Sequence, residues 1–462
     1  MKGPMAPRSS LLDAAVSAGD IADQAYRKVR IRLIPLLFVC YIAAYLDRVN
    51  VGFAKLQMQA SLQFSDSVYG LGAGIFFLGY FIFEVPSNVI LHRVGARRWI
   101  ARIMVVWGLL SMATMLVASP TSFYVLRFFL GAAEAGFFPG VILYLSQWFP
   151  ARRRGNAISL FLCAVSFAGI LGGPTSGWIL RHLDGVGGWH GWQWMFLLQG
   201  LPSVLLGLLV WRWLDDRVAG VHWLTAVEQK IIAADIARDR HGKTEGGLRQ
   251  VLALPQVWLL AFAYFALVGG LYGVSFWLPS IIRAAGVADL LHIGLLSACP
   301  WLCGLVAMVW VAGHADRAHA HAGHCAAAAL VGGCGLAFSA AFGEDLVLAM
   351  LGLTFATMGV LSALPVFWGL PTGLLAGGAA AAGIALINSF GNLSGFGGPY
   401  LLGLLHDLTR SHEAGLYLLA VLVVAGGTLA FCVRLPRPPG APSPAPRPGL
   451  AGAPGVATSP AA

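Results

Sequence analysis

The sequence predicts an all-α integral membrane protein of twelve transmembrane helices in two six-helix bundles. Hydrophobic residues form 58% of the 462 residues and charged residues only 11%, where a soluble domain carries about 25% charged residues. Apolar runs long enough to cross a bilayer, which takes about 20 residues, recur along most of the chain. Lys and Arg gather in alternate loops, the pattern of a polytopic protein.

In order, the apolar runs lie near 33–53, 69–91, 99–118, 122–146, 156–180, 193–213, 255–282, 291–312, 325–342, 346–367, 373–405 and 414–433. Residues 1–32 read as a cytoplasmic tail, without the short apolar core of a cleavable signal peptide. The longest polar interval, 214–254, separates an N-terminal bundle (33–213) from a C-terminal bundle (255–433). Within it, Leu224, Val227, Ile231, Ile232 and Ile236 recur at helical spacing. They predict an amphipathic helix over Leu224–Arg240 that packs under the bundle as a connector. Residues 434–462 are rich in Pro, Ala and Gly and are expected to be disordered. The halves echo each other. Ser166-Phe167 and Gly172-Gly173-Pro174 in the fifth run correspond to Ser389-Phe390 and Gly397-Gly398-Pro399 in the eleventh. Parallel repeats of this kind place a solute site near the midplane between them.

The net charge of +10 does not imply a nucleic-acid partner, because its placement orients the chain in a membrane. One set of loops holds Arg27, Lys28, Arg30, Arg32, Arg93, Arg97, Arg98, Arg152, Arg153, Arg154, Lys230, Arg238 and Arg317. The opposite set holds only Lys55, Arg181, Arg283 and Arg410. The rich side is expected in the cytoplasm with both termini, touching anionic lipid heads. The seven cysteines fall in or beside apolar runs and are expected as free thiols. Cys299 and Cys303, one turn apart, read as small buried hydrophobes rather than a metal pair. His314, His319, His321 and His324 crowd one loop at a spacing that matches no metal site. Trp189, Trp192 and Trp194 read as an interfacial belt. No metal is expected, and no cofactor beyond a coupling proton.

Ionisable residues inside apolar runs are the strongest functional signal. Charge at the bilayer centre costs at least ~2.5–3.5 kcal/mol per residue, so each needs a partner or a wet cavity. Asp47 and Arg48 stand together in the first run. Arg127 and Glu134 are seven apart in the fourth, on one helix face and about 10.5 Å apart along the axis. Either arginine can meet a carboxylate bidentately, and Glu134 can exist with or without a proton. Interhelical salt bridges are the alternative reading. Tyr41, Tyr45 and Arg48 form a stripe at i, i+4 and i+7 that could line a cavity. Tyr80, Tyr272 and Trp368 are candidate aromatic walls. Asn388, Ser389 and Asn392 offer polar groups to a solute or to a neighbouring helix. Glu84, near the end of the second run, reads as a structural or gating contact.

These residues carry a family resemblance. Tyr45-Leu46-Asp47-Arg48-Val49-Asn50, Phe83-Glu84-Val85-Pro86-Ser87-Asn88, Leu126-Arg127-Phe128, Ala133-Glu134-Ala135-Gly136-Phe137-Phe138-Pro139-Gly140, Gly191-Trp192-Gln193-Trp194 and Gly383-Ile384-Ala385-Leu386-Ile387-Asn388-Ser389 resemble the anion:cation symporter family of the major facilitator superfamily. The wording is similar to the bacterial branch of tartrate, phthalate and 4-hydroxyphenylacetate permeases. The resemblance implies two rocking bundles and proton-coupled uptake of a small organic anion across a bacterial inner membrane, by a chain expected to act as a monomer. It implies that Arg48 and Arg127 engage the anion, that Asp47 and Glu134 couple protons, and that Trp368 and Asn388 face substrate. Arg93, Gly95 and Arg97 after the second run, and Asp316-Arg317 after the eighth, match the superfamily's gating loops. His92 stands where the superfamily usually has an acid, the arginines expected after Arg317 are missing, and Gln199 replaces a common glutamate. Gly169-x-x-x-Gly173-Pro174-x-x-Gly177 also resembles a drug:proton antiporter pattern, with Trp178 in place of its last glycine. An organic-anion exchanger, a drug exporter and a non-transporting anion sensor are the rival readings. No nucleophile–base arrangement supports an enzyme.

Overall fold

The computed structural model describes residues 8–241, 252–374 and 377–433, and nearly all of them are helical. The expected disordered segment 434–462 lies outside the described residues. Eleven helices are long and apolar enough to cross a membrane: Asp20–Leu62, Asp66–Leu91, Ala96–Leu116, Pro120–Ser146, Arg153–His182, Gly191–Trp213, Pro255–Ala284, Leu290–Ala318, His321–Ala341, Leu346–Thr372 and Glu413–Phe431. The run expected at 373–405 is built from two shorter helices, Gly377–Asn392 and Ser394–Thr409, joined at Leu393. It is the eleventh span in chain order. No strand occurs among the described residues.

Several expectations need correction. The first helix begins at Arg8, within the expected tail, and runs to Val49. Ala22, Ala25, Tyr26 and Val29 are buried on one side of it, at the spacing of a helix face. The connector begins at Ala226. Ile232 is buried in it, while Val227 points outward. It is tied to the first helix by Lys28 Nζ to Glu228 Oε1 at 2.7 Å and by Tyr26 Oη to Asp235 Oδ2 at 3.1 Å. Cys299 and Cys303 are exposed rather than buried, because their helix turns that face outward. Trp192 is no belt residue: it is buried, and its Nε1 donates to Ser61 Oγ at 3.1 Å.

An interruption inside the fourth span positions the site. The first span keeps helical backbone through Asn50, with φ −57° and ψ −27°, and continues to Leu62. The fourth ends a helical section at Glu134, passes through Gly136 with φ 88°, and resumes at Phe137. Only glycine adopts that left-handed conformation without strain. The break leaves Glu134 at the end of a helical section, deep in the bundle.

The two bundles meet tightly at the Lys/Arg-poor end. The second span lies against the eleventh, where Gly74 faces the Phe396 backbone. The fifth lies against the eighth, where Gly173 and Gly294 face each other and a Cβ on either would strike the other's carbonyl. Small residues allow such close helix contact. A polar cluster closes the same end. Lys55 Nζ lies 2.5 Å from Asp66 Oδ1 and 3.5 Å from the centre of the Trp277 ring. Asp407 of the eleventh span accepts the backbone N–H of Ser67, which opens the second span, at 2.8 Å. At the Lys/Arg-rich end, Ser389 Oγ donates to Glu84 Oε2 across the bundles at 3.0 Å.

Candidate functional site

Between the bundles, at mid-depth, lies a cavity of about 120 Å³, large enough for several waters. Tyr41, Tyr45, Arg48 and Tyr80 line it from the first bundle, and Tyr272, Trp368, Asn388 and Asn392 from the second. The tertiary structure therefore gathers all the expected wall residues except Arg127 around one space. The Tyr41, Tyr45 and Arg48 stripe faces inward because the opposite side of the first helix packs into its own bundle.

Arg48 is the charged group that reaches the cavity. Its Nε donates to Glu134 Oε1 at 3.1 Å, and its Nη2 pairs with the same oxygen. Its Nη1 donates to Tyr272 Oη at 2.9 Å, crossing from one bundle to the other. The guanidinium also lies 5.3 Å from the centre of the Tyr80 ring, a favourable cation–π placement. Glu134 is fully buried, and its second oxygen, Oε2, has no hydrogen-bond partner.

Arg127 is placed differently. It is fully buried behind the wall, with Nε donating to Gly72 O at 3.3 Å and Nη2 to Arg48 O at 3.4 Å. Its Nη1 has no hydrogen-bond partner. Its guanidinium lies 4.9 Å from the Phe76 ring centre, and Arg48 lies 5.5 Å from the same ring. Two cations thus flank one phenyl ring, with Glu134 paired to Arg48 and the carboxyls of Asp47 and Glu84 farther off. Arg48 is the one charged residue among the described residues lining the cavity, which favours an anion in that space.

Asp47 does not join this group. Its carboxylate accepts from Ser111 Oγ at 2.7 Å, Trp107 Nε1 at 3.0 Å and Ser203 Oγ at 2.5 Å. It sits sealed among the first, third and sixth spans. Asp47 and Arg48 part company for a simple reason: adjacent residues on a helix are about 100° apart, so they face different neighbours.

The residues expected to gate are spread out. Glu84 bridges the bundles through Ser389. Gly95, with φ 97°, is where the second and third helices meet, and Asp216 packs where its side chain would be. Asp216 Oδ1 accepts the Arg97 N–H at 2.8 Å, and Arg93 is exposed. In the second half, Asp316 Oδ1 meets His321 Nε2 at 2.9 Å, while Arg317 Nε donates to Gly313 O at 3.0 Å. Both contacts are between residues close in the chain, at the end of the eighth span and the start of the next helix.

The sequence reading missed Ser166, Tyr264 and Phe138 on the cavity wall. Ser166 Oγ is buried without a partner, and the repeated Ser-Phe pair was its only signal. It also missed Asp216, Lys55 and Ser275, whose Oγ lies 3.1 Å from Tyr45 Oη. Periodicity does not mark such residues, because their partners lie far away in the chain.

The fold and this central cavity define a membrane transporter built from two related helical bundles. The Major Facilitator Superfamily model matches residues 37–399, and the chain belongs to that family. It is 48% identical over 397 residues to the metabolite transport protein NicT of Pseudomonas putida, covering 86% of this chain and 91% of that one. It is 43% identical over 418 residues to an Agrobacterium vitis protein named as a tartrate transporter, covering 90% and 92%. It is also 40% identical over 421 residues to a quinolone resistance transporter of Acinetobacter baumannii, covering 90% and 96%. Among solved structures, it resembles an inward-facing, unoccupied bacterial homologue of the lysosomal transporter Spinster, with TM-score 0.71 at 16% identity over 87% of this chain and 96% of that one.

Proposed function

We propose that this protein imports a small carboxylate together with a proton across a bacterial inner membrane, with its Lys/Arg-rich face and both termini in the cytoplasm. The observation that carries the proposal is the occupancy of Arg48. Its Nε and Nη2 already hold a carboxylate, that of Glu134. A carboxylate solute entering the cavity competes for that same edge of the guanidinium. A proton on Glu134 removes the competing charge and frees Arg48 for the solute. When the solute leaves, Arg48 returns to Glu134 and favours loss of its proton. Proton and anion thus bind together and leave together, without direct contact between them. Arg127 raises the local positive potential from behind the wall. Tyr272 links Arg48 to the second bundle, so solute binding is felt by both halves.

The tight Lys/Arg-poor end, against the Glu84 bridge to Ser389 and Asn388 at the other, fits a state that opens toward the cytoplasm. A tenfold proton gradient supplies about 1.4 kcal/mol per proton, and 100 mV supplies about 2.3 kcal/mol per net charge moved. A monoanion carried with one proton responds to the first and not the second. The test is uptake of labelled tartrate, phthalate and 4-hydroxyphenylacetate into proteoliposomes, with the pH gradient and the voltage imposed separately. Uptake of one of these acids that follows the pH gradient is expected. Uptake indifferent to the pH gradient would favour the organic-anion exchanger and overturn the proton role.

The Acinetobacter relative supports a second reading, drug export. A quinolone bears a carboxylate, so Arg48 suits it too. Proton-driven quinolone efflux without uptake of any of the three acids would favour that reading.

A further inference from the structure

A groove of about 590 Å³ runs between the first and sixth spans at the Lys/Arg-rich end. Its walls are Ile31, Pro35 and Leu36 on one side and Leu209 and Trp213 on the other. Ile31, Leu209 and Trp213 are 61%, 43% and 48% exposed, so the groove opens outward from the bundle. It straddles the membrane boundary, because the sixth span ends at Trp213 and the polar connector follows.

Arg32 sits at its head. The guanidinium is stacked between two indoles, 4.7 Å from the Trp213 ring centre and 5.3 Å from that of Trp223. Its Nε is buried without a hydrogen-bond partner, and the nearest carboxylate oxygen, Asp215 Oδ2, is 3.9 Å away. Stacking and the Asp215 carboxylate fix the guanidinium in place, and the Arg32 side chain stays 30% exposed at the head of the groove. Lys28 stands beside it, half exposed and engaged by Glu228 at 2.7 Å. Pro35 adds an acceptor: it has no N–H for the carbonyl of Ile31, four residues earlier. Ile31 and Pro35 both line the groove.

We infer that this groove is a binding site for one anionic phospholipid with a hydroxyl-bearing headgroup. The acyl chain would lie on Leu36 and Leu209, the phosphate on Arg32, and a headgroup hydroxyl on the Ile31 carbonyl. Charge complementarity selects the occupant: a fixed, partly exposed guanidinium beside Lys28, at headgroup height, at the head of an apolar channel. Indoles beside it suit the interface. Such a lipid joins the first span, the sixth span and the start of the connector. The inference concerns the outer surface and stands apart from the central cavity.

The test uses the purified full-length protein in detergent, with native mass spectrometry of lipid adducts. Phosphatidylglycerol, phosphatidylcholine and inorganic phosphate are added in separate titrations. The wild type is expected to retain phosphatidylglycerol and to prefer it over phosphatidylcholine. Arg32→Gln is expected to weaken phosphatidylglycerol retention about fivefold. Leu209→Trp, which fills the groove and leaves Arg32 in place, is expected to lower it likewise. Arg98→Gln, a basic residue outside the groove, is expected to change nothing. Equal retention of the two lipids by the wild type overturns the inference. So does unchanged retention in Leu209→Trp, which decides the matter even where Arg32→Gln does not fold. Binding of inorganic phosphate without lipid retention also overturns it.

Discussion

The two walls of the central cavity are chemically unequal. The first bundle supplies Arg48, backed by Glu134 and Arg127. The second supplies Tyr264, Tyr272, Trp368, Asn388 and Asn392, none of them charged at neutral pH. Parallel repeats share a backbone plan without sharing side-chain chemistry. Under the proposed function the difference implies a division of labour: one half would handle charge and the proton, and the other would shape the space around the solute. The link between them is Arg48 Nη1 to Tyr272 Oη at 2.9 Å.

The largest effect expected from this division is at Arg48. Arg48→Gln should lower uptake at least ~100-fold, because it removes a buried, hydrogen-bonded charge. Proteoliposome uptake measures it, and a loss as deep in Tyr272→Phe would break the division. Glu134→Gln should come next. It should abolish accumulation driven by a pH gradient, worth about tenfold per pH unit, while counterflow of the preloaded acid persists. Counterflow lost together with accumulation would show that Glu134 shapes the site rather than coupling the proton.

Asp47→Asn separates the two acids. Asp47 holds three donors inside the first bundle, so its loss should cost about 1–3 kcal/mol of stability. That should appear as a lower Tm of the purified protein, with the solute affinity of the folded fraction nearly unchanged. A Tm equal to wild type with lost proton coupling would restore Asp47 to the coupling machinery. On the opposite wall, Trp368→Ala and Asn388→Ala should raise KM about three- to tenfold and change the ranking among acids, since truncated contacts of this kind are worth ~1 kcal/mol. An unchanged ranking would mean that the second bundle does not select.

The smallest effect lies at the closed end, where both bundles contribute. Burial, followed by the neighbouring His406 and Lys55, lowers the pKa of His412 to about 4, against the pull of Asp66. The folded protein therefore binds fewer protons than the unfolded chain between that value and the ordinary histidine value near 6.5. Stability is fully present above about pH 6.5 and declines as the pH falls toward 4. Tm at pH 5 should lie below Tm at pH 7, and His412→Asn should narrow that gap.

Much of the fold was legible in the sequence because water and lipid impose it locally. Apolar length, loop charge and the buried ionisable residues are properties of short segments. The resemblance of Asp47-Arg48, Arg127 and Glu134 to a transporter pattern pointed to the right family. The sequence also placed Tyr41, Tyr45 and Arg48 on one helical stripe, which does face the cavity. It could not say where each charge would find its partner. Asp47 and Arg48 are neighbours in the chain, yet one is sealed among two serines and a tryptophan while the other faces the cavity. Arg127 and Glu134 share a helix, yet it is Arg48, on another helix, that pairs with Glu134. Likewise, the pairing of Glu84 with Ser389 and the groove above Leu209 exist only once distant spans pack. Hydrophobicity and helical period are written residue by residue, so the chain alone determined the spans. Contacts across 86 or 305 residues of sequence depend on how helices rotate and cross, and only the tertiary structure decided those.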